Sequence, residues 1–221
     1  MMFKSALLIF RNEIKCELRT RYAANSLVMF ILVTVSIIRF AIGEEKTENE
    51  IINGLLWVSV FFSNAAGITR TFVKEEEKET SLSLKLSTLP HPVFLGKLFY
   101  NFVLSFVVNV FIVVLFIAVN DLRIENHYGF WIVVLLGNFG LVASSTIISA
   151  IISKADSRSS LYPVLAFPVL IPLLVSIIFA TNLACNGATF QELIPEVQIL
   201  ISYAVVVTTA SFMLFGFVWN D

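Results

Sequence analysis

An uncharged stretch runs from Leu98 to Asn120 and reads LFYNFVLSFVVNVFIVVLFIAVN. A helix needs about 20 predominantly apolar residues to cross the hydrocarbon layer of a bilayer, which is roughly 30 Å thick. This stretch is long enough to do so. Five further uncharged stretches have the same character: Tyr22–Ile38, Ile51–Thr69, Gly129–Ser153, Ser159–Gln191 and Val197–Asn220. Together the six stretches predict six membrane-spanning helices.

The composition agrees with a membrane protein. Of the 221 residues, 57% are hydrophobic and 14% are charged, and the mean hydropathy is +0.87. A soluble domain has about 25% charged residues. We therefore predict an all-α polytopic membrane protein with one domain, residues 1–221, and with spans over about residues 23–42, 51–71, 98–119, 129–152, 160–183 and 198–219. The net charge of −1 argues against a nucleic-acid partner.

The distribution of Lys and Arg predicts the orientation of the chain. Most of them lie in the N-terminal segment and in the second and fourth connections, whereas the other side has only Arg39, Lys46 and Arg123. Cytoplasmic loops are the ones enriched in Lys and Arg. We therefore predict that both termini are cytoplasmic and that the external loops are short.

Residues 1–22 predict an amphipathic helix ahead of the first span. At 100° per residue, one face is apolar and consists of Phe3, Leu7, Phe10, Ile14 and Leu18. The neighbouring face is basic and consists of Lys4, Arg11, Lys15 and Arg19. Such a helix lies in the membrane surface, where its apolar face contacts acyl chains and its cations meet anionic headgroups. We expect an interfacial helix in contact with membrane lipid.

The connection over residues 72–97 is the most informative polar segment. Its first part, Lys74–Glu79, is a charged helical stretch that continues the second span into the cytoplasm. Thr80 or Ser81 can then cap a new short helix.

Leucines follow this cap at helical spacing, at Leu82, Leu86 and Leu89. Pro90 and Pro92 are expected to end the short helix, because proline cannot continue one. A short amphipathic helix below the membrane can dock in a groove of a partner protein. The alternative is a solvated loop whose leucines pack on the bundle.

The same connection resembles that of the permease subunits of type-2 ABC exporters. Their pattern is an arginine and an aromatic residue at the end of the second span, an acidic stretch, a small residue before Leu, a Leu-rich helix, Pro, and Lys at the third span. Here these positions are Arg70, Phe72, Glu75–Glu79, Ser81-Leu82, Leu86, Pro90 and Lys97. The chain departs from the pattern at Thr80, where the family often has Gly.

More narrowly, the chain resembles the heme exporter protein B (CcmB) family, the permeases of bacterial cytochrome c maturation. Its length is that of a six-span permease without appendages. The supporting motifs are Arg11-Asn-Glu13, Gly54-Leu-Leu-Trp57 and Leu165-Ala-Phe-Pro168-Val-Leu-Ile-Pro172. The resemblance covers essentially the whole chain.

The resemblance implies a multi-pass protein of the bacterial inner (cytoplasmic) membrane, present as a permease dimer. Its implied partners are a separate cytosolic ABC ATPase (CcmA-like) and a heme-handling membrane protein (CcmC-like). ATP would act through the partner, and heme would be cargo, not a bound cofactor. Because the chain lacks a G-x-x-x-x-G-K-[ST] phosphate loop, we predict a transport subunit and not an enzyme. Two roles stay open: moving heme, or using ATP to release a loaded heme chaperone.

The resemblance also assigns a role to the connection between the second and third spans. It would couple the permease to the ATPase through Glu75, Glu76, Glu77, Glu79, Ser81, Leu82, Leu86 and Pro90. Closure of the ATPase pair would push on this element and tilt the spans as rigid bodies. Joint replacement of the three consecutive glutamates at 75–77 is expected to release the ATPase and leave the bundle folded.

Three prolines, Pro163, Pro168 and Pro172, predict a kink or a break in the fifth span. The uncharged stretch around them is too long for one straight crossing. A broken or re-entrant helix pair there would serve in gating. The alternative is one tilted, kinked span with an apolar external extension, so that residues 184–196 form a plain loop.

No catalytic, cofactor-binding or metal-ligating residue is predicted. His91 and His127 are candidate heme ligands by chemistry, but a surface position is the simpler interpretation of each. The uncharged stretches contain no carboxylate, which argues against the proton or sodium relay of a secondary transporter. The alternatives to heme handling are a type-2 ABC permease for a lipid, polysaccharide or drug, and an ATP-independent channel or scaffold.

Overall fold

The computed structural model describes residues 2–20, 22–43, 48–68, 70–77, 84–86, 88–154 and 158–220. Helices dominate these ranges, and the described residues contain no strand. Eight of the helices have eight or more residues: α1 (Met2–Thr20), α2 (Tyr22–Ile42), α3 (Asn49–Ile68), α4 (Arg70–Glu77), α5 (Pro90–Val119), α6 (His127–Ser153), α7 (Arg158–Cys185) and α8 (Phe190–Asn220). Residues 84–86 form a further short helical turn.

Six segments are long and apolar enough to cross a membrane: Asn25–Ile42, Asn49–Val73, Pro90–Val119, His127–Ser153, Val164–Cys185 and Phe190–Trp219. Each contains one of the six predicted spans or most of it. The prediction of an all-α fold with six spans is therefore confirmed. The second segment runs from α3 into α4, as expected of a span that continues beyond the bilayer.

The third span begins earlier than the sequence predicted. Pro90 and Pro92 were expected only to end a preceding helix, but they lie in the first turn of α5. Proline is suited to this position because the first N–H groups of a helix have no partner within it. With 30 residues, α5 is about 45 Å long, which exceeds the roughly 30 Å thickness of the hydrocarbon layer.

The fifth span is one continuous helix, α7, which includes Pro163, Pro168 and Pro172. The expected break is absent from the described residues 158–185. Neighbouring helices can satisfy backbone groups that a membrane proline leaves open. Here the hydroxyl of Tyr203 on α8 donates to the carbonyl oxygen of Val169 at 2.8 Å, within the turn before Pro172.

A short turn joins α7 to α8, so the described residues 184–196 include no re-entrant helix pair. Gly187 has φ +78°, the left-handed conformation that glycine adopts without strain. The backbone N–H groups of Gly187 and Ala188 donate to the carbonyl groups of Ala184 and Leu183. These bonds close the end of α7 and reverse the chain into α8.

Helix α6 lies at the centre of the bundle, where it packs mainly on α7 and α8. A Cβ atom built on Gly137 would lie 2.9 Å from both Ile177 and Trp57, and one on Gly140 would lie 2.9 Å from Leu173. Small residues permit this close approach. The glycines of α6 therefore serve a contact within the bundle.

Helix α1 lies along the first turns of α5. A Cβ atom on Gly96 would lie 2.7 Å from the carbonyl oxygen of Ala6, and the rings of Phe10 and Phe99 are 4.8 Å apart. Helix α1 also exposes apolar side chains beside this contact, such as Phe3 and Leu7. Such exposure is expected of an amphipathic helix at a membrane surface.

Candidate functional site

Helix α5 has a polar ridge, formed by Lys97, Asn101, Ser105 and Asn109 at intervals of four residues. Side chains at i and i+4 share one side of a helix. All four are buried, with relative exposures of 2% or less. A buried polar group that lacks a hydrogen bond is costly, so each member of this ridge needs a partner on a neighbouring helix.

Lys97 connects three helices at one end of the ridge. Its Nζ atom lies 3.1 Å from Glu13 Oε1 on α1 and 2.8 Å from Glu75 Oε1 on α4. It also donates to the carbonyl oxygen of Thr71 at 2.8 Å, and it lies 4.6 Å from the ring centroid of Phe72. The ammonium group is fully buried. The two carboxylates make this burial possible, because an unpaired buried charge is strongly destabilising.

The next member of the ridge joins α4 to α6. The hydroxyl of Thr71 donates to Asn101 Oδ1 at 2.8 Å, and Asn101 Nδ2 donates to the hydroxyl of Thr146 at 3.0 Å. Both functional ends of the Asn101 amide are therefore paired. This arrangement links the polar ridge directly to the central helix.

Farther along the ridge, amide and hydroxyl groups of α3, α5 and α6 form one network. The hydroxyl of Ser105 lies 2.5 Å from Asn64 Oδ1 and also contacts Asn138 Oδ1. Asn109 Nδ2 donates to Asn138 Oδ1 at 2.8 Å, while Asn138 Nδ2 donates to the carbonyl oxygen of Phe102 at 3.3 Å. All four side chains are buried. They hold three spans in one register.

A second set of polar contacts joins α3 to α7 near the other end of the bundle. Asn53 Nδ2 donates to Asn182 Oδ1 at 2.5 Å, and the indole N–H of Trp57 donates to the hydroxyl of Thr181 at 2.8 Å. Cys185 Sγ lies 3.6 Å from Asn53 Oδ1. The contacts fix the α3–α7 pair in the region where α7 ends.

These groups are suited to mechanical linkage more than to chemistry. The network within the spans consists of amides and hydroxyls, whereas the charges gather around Lys97 at one end. No group of three His, Cys, Asp or Glu residues with metal-binding geometry occurs in the part of the chain that the structure describes. The ridge therefore connects the spans to α1 and α4, the two helices that contact Lys97 at one end of the bundle.

The predicted coupling residues that the structure describes differ in exposure and in the helix to which they belong. Glu75 points inward to Lys97, while Glu76 and Glu77 lie in the last turn of α4. Leu86 belongs to the helical turn 84–86 and is 83% exposed, and Pro90 is the first residue of α5. The predicted positions Glu79, Ser81 and Leu82 lie outside the described residues. Their coupling role stays a prediction.

The candidate gating and heme-binding positions lie apart from the ridge. Pro168 and Pro172 are on an exposed side of α7, so the gating role of the prolines also stays a prediction. His91 stacks on Phe212 with ring centroids 4.3 Å apart. His127 is the first residue of α6, at the opposite end of the bundle from the start of α5.

The sequence pattern did not identify Glu13 as a partner of Lys97, nor the asparagines as a network. A signal was present, because the spacing 97, 101, 105 and 109 places four polar residues on one side of an otherwise apolar stretch. Polar residues within spans generally face the interior of a bundle. Their partners on α1, α3, α4 and α6 have no comparable spacing rule.

The family model described as CcmB protein matches residues 4–218, from the first turns of α1 to the last turn of α8. A comparison with curated proteins gives no match. The family match covers the first five candidate spans in full, the sixth up to residue 218, the polar ridge and the connection between α4 and α5. The chain therefore belongs to the CcmB protein family, the permease-type heme exporters of cytochrome c maturation.

Proposed function

We propose that this chain is the permease subunit of an ABC transporter that exports or handles heme for c-type cytochrome maturation, driven by a separate ATPase subunit. Membership of the CcmB family supports the heme-exporter role. The proposal adds a cytosolic CcmA-like ATPase, a CcmC-like membrane partner, a permease dimer and the bacterial inner membrane. Both termini, with α1 and α4, would face the cytoplasm.

One observation supports the coupling role above all others. Leu86 and Leu89 are 83% and 70% exposed, and both precede the third candidate span, which begins at Pro90. Exposed apolar side chains that belong to no candidate membrane span indicate an interaction surface. Because these leucines lie at the end of the bundle that has both termini, a cytosolic subunit could contact them without entering the membrane.

The same segment is attached to the bundle on its other side. Leu84 packs against the hydrophobic core, and Lys85 Nζ lies 5.9 Å from the ring centroid of Trp219 near the end of α8. Trp219 in turn stacks on Phe215, with ring centroids 5.4 Å apart. A displacement of residues 84–89 would therefore reach α8 directly.

A second route leads from α4 through Lys97. Since Glu75 on α4 and Glu13 on α1 share this ammonium group, movement of α4 would change the position of both α1 and α5. Packed helices move as rigid bodies between discrete arrangements. In the proposed mechanism, ATP-driven closure of the ATPase pair displaces the connection between α4 and α5, and the polar ridge distributes this movement among the spans.

The test is a tagged pull-down from membranes solubilised in mild detergent, followed by mass spectrometry. The tagged wild-type chain should recover a small ABC ATPase together with cytochrome c maturation proteins. Leu86→Asp and Leu89→Asp should each reduce ATPase recovery at least tenfold, because a charge would have to be buried at the interface. Tyr128→Asp is the matched control, since Tyr128 is 87% exposed at the opposite end of the bundle.

The charged stretch needs a different variant from the one that the sequence suggested. Joint replacement of residues 75–77 would remove the Glu75 partner of Lys97 and so disturb the bundle. Glu76→Gln with Glu77→Gln leaves that ion pair intact and tests whether these two charges contribute to docking.

Three results would each carry a different conclusion. Recovery of an ATPase without maturation proteins would support the ABC permease role and contradict heme as its cargo. The wild-type chain without any ATPase, under conditions that preserve a known ABC complex, would contradict the coupling proposal and favour a channel or scaffold. Unchanged ATPase recovery in both leucine variants would show that the ATPase does not dock on residues 84–89.

A further inference from the structure

A half-open groove of about 480 Å³ lies between α1, α5 and α6. Every residue that lines it is apolar or glycine. Helix α1 supplies one wall, α5 supplies the facing wall, and Phe139 of α6 closes the end. The groove is near the start of α5, so it lies where the interfacial helix meets the third span.

The walls of the groove are held in place by specific contacts. The close approach of Gly96 to Ala6 fixes one point of α1 on α5. The ion pair between Glu13 and Lys97 fixes a second point two turns farther along α1. At the closed end, the rings of Phe102 and Phe139 are 5.7 Å apart in an edge-to-face arrangement. The groove is therefore a shaped feature of the fold.

Cations lie beside the groove on α1. Leu7 lines the groove, and Lys4 and Arg11 lie two helical turns apart on the neighbouring basic face of α1. Both cations are exposed. Within the described residues, neither forms an ion pair. An anion at the mouth of the groove would thus meet two available positive groups.

We propose that this groove binds one acyl chain of an anionic phospholipid, with the phosphate group held by Lys4 and Arg11. A hydrocarbon chain in the groove would gain dispersion contacts with its apolar walls, whereas the lining offers no hydrogen-bond partners for water. The exposed cations add attraction for a negatively charged headgroup. The acyl chain would fill the space between α1 and α5 and so fix the position of α1 on α5.

The proposal is independent of ATPase binding and of the cargo, because it rests only on the geometry of α1, α5 and α6. It predicts a bound lipid that stays with the purified chain. It also predicts a preference for phosphatidylglycerol over phosphatidylcholine, since the two have similar acyl chains but different net charges.

The test is native mass spectrometry of the full-length chain, delipidated in mild detergent and titrated with phosphatidylglycerol or phosphatidylcholine. The wild type should bind one phosphatidylglycerol with clear preference. Each cation near an anionic membrane surface contributes a factor of about five to binding. Lys4→Gln with Arg11→Gln should therefore weaken phosphatidylglycerol binding by about thirtyfold and leave phosphatidylcholine binding almost unchanged.

A matched pair of variants tests the groove itself. Leu7→Trp adds bulk inside the groove and should reduce binding of both lipids at least fivefold. Leu8→Trp makes the same change at a residue of similar exposure that does not line the groove, and it should bind both lipids as the wild type does. Equal lipid binding by the two variants, or no preference for the anionic lipid, would overturn the proposal.

A photo-crosslinking amino acid at position 7, in the assembled complex in its native membrane, identifies the occupant directly. An adduct with phospholipid supports the proposal. An adduct with a second copy of the chain, or with another protein, would show that a protein surface covers the groove and would refute it. This readout does not depend on the stability of the tryptophan variants.

Discussion

Lys97→Met removes the charge from the centre of the ion-pair cluster while keeping an unbranched side chain of similar length. The ammonium group of Lys97 is fully buried, whereas the side chains of Glu13 and Glu75 are 15% and 19% exposed. Loss of one partner of a buried ion pair costs about 3–5 kcal/mol. The partial exposure of the two carboxylates lets them reach water, so we expect a loss near the lower limit, about 3 kcal/mol.

The assay is thermal unfolding of the purified permease in one detergent. A change of 1 kcal/mol shifts Tm by about 2–4 °C for a chain of 150–250 residues. Lys97→Met should therefore lower Tm by about 6–12 °C. Lys15→Met is the control, because it makes the same substitution at an exposed lysine of α1. Its expected shift is within about 2 °C, since a surface substitution usually changes stability by no more than about 0.5 kcal/mol.

A double-mutant cycle then tests whether the cluster acts as a unit. Glu13→Gln and Glu75→Gln should each cost about 1.5–3 kcal/mol, the usual contribution of a hydrogen bond to a charged group. The double variant should cost more than the sum, because Lys97 then has no carboxylate left. Strict additivity, or a Lys97→Met variant as stable as Lys15→Met, would refute the idea that Lys97 ties α1 to α4.

Three further substitutions probe the rest of the bundle by the same thermal assay. Gly137→Ala should lower stability by about 1–3 kcal/mol through overpacking, because its Cβ would lie 2.9 Å from Trp57 and Ile177; an unchanged Tm would show that the α6–α7 contact relaxes freely. Asn138→Leu should cost about 1–3 kcal/mol for each donor that it leaves unpaired, and a neutral result would mean that the network of α3, α5 and α6 is not stabilising. Asn126→Ala removes a side chain that accepts from the Gly129 N–H at 2.9 Å and donates to Ala188 at 2.8 Å; loss of this helix cap should cost about 0.5–2 kcal/mol, and no loss would contradict its role in joining the start of α6 to the α7–α8 turn.

The number and approximate position of the spans could be predicted from the sequence because transfer into lipid depends mainly on the local run of apolar residues. The start of α5 at Pro90 could not be predicted in this way. Proline is found both just after one helix and in the first turn of the next, so the residue alone does not distinguish these two positions. The local pattern likewise left two outcomes for Pro168 and Pro172, a broken helix or a continuous one.

At the candidate site, even less could be predicted from the sequence. The acidic stretch near Glu75 was predicted to face a partner, yet this glutamate points inward to Lys97. For Leu86 the pattern left docking on a partner and packing on the bundle both open, and the side chain is exposed. The pairing of Glu75 could not be foreseen, because its cation lies on another helix, 22 positions later in the chain.

The amino-acid sequence alone determined the class of the protein, its six spans, the amphipathic helix before them and the resemblance to a family. These properties depend on local composition, periodicity and short motifs. Only the tertiary structure decided that Glu13, Glu75 and Lys97 meet, that four polar side chains of α5 find partners on α3, α4 and α6, and that α1 leaves an apolar groove beside α5. Those contacts join residues from distant parts of the chain, and they arise from how the helices pack against one another.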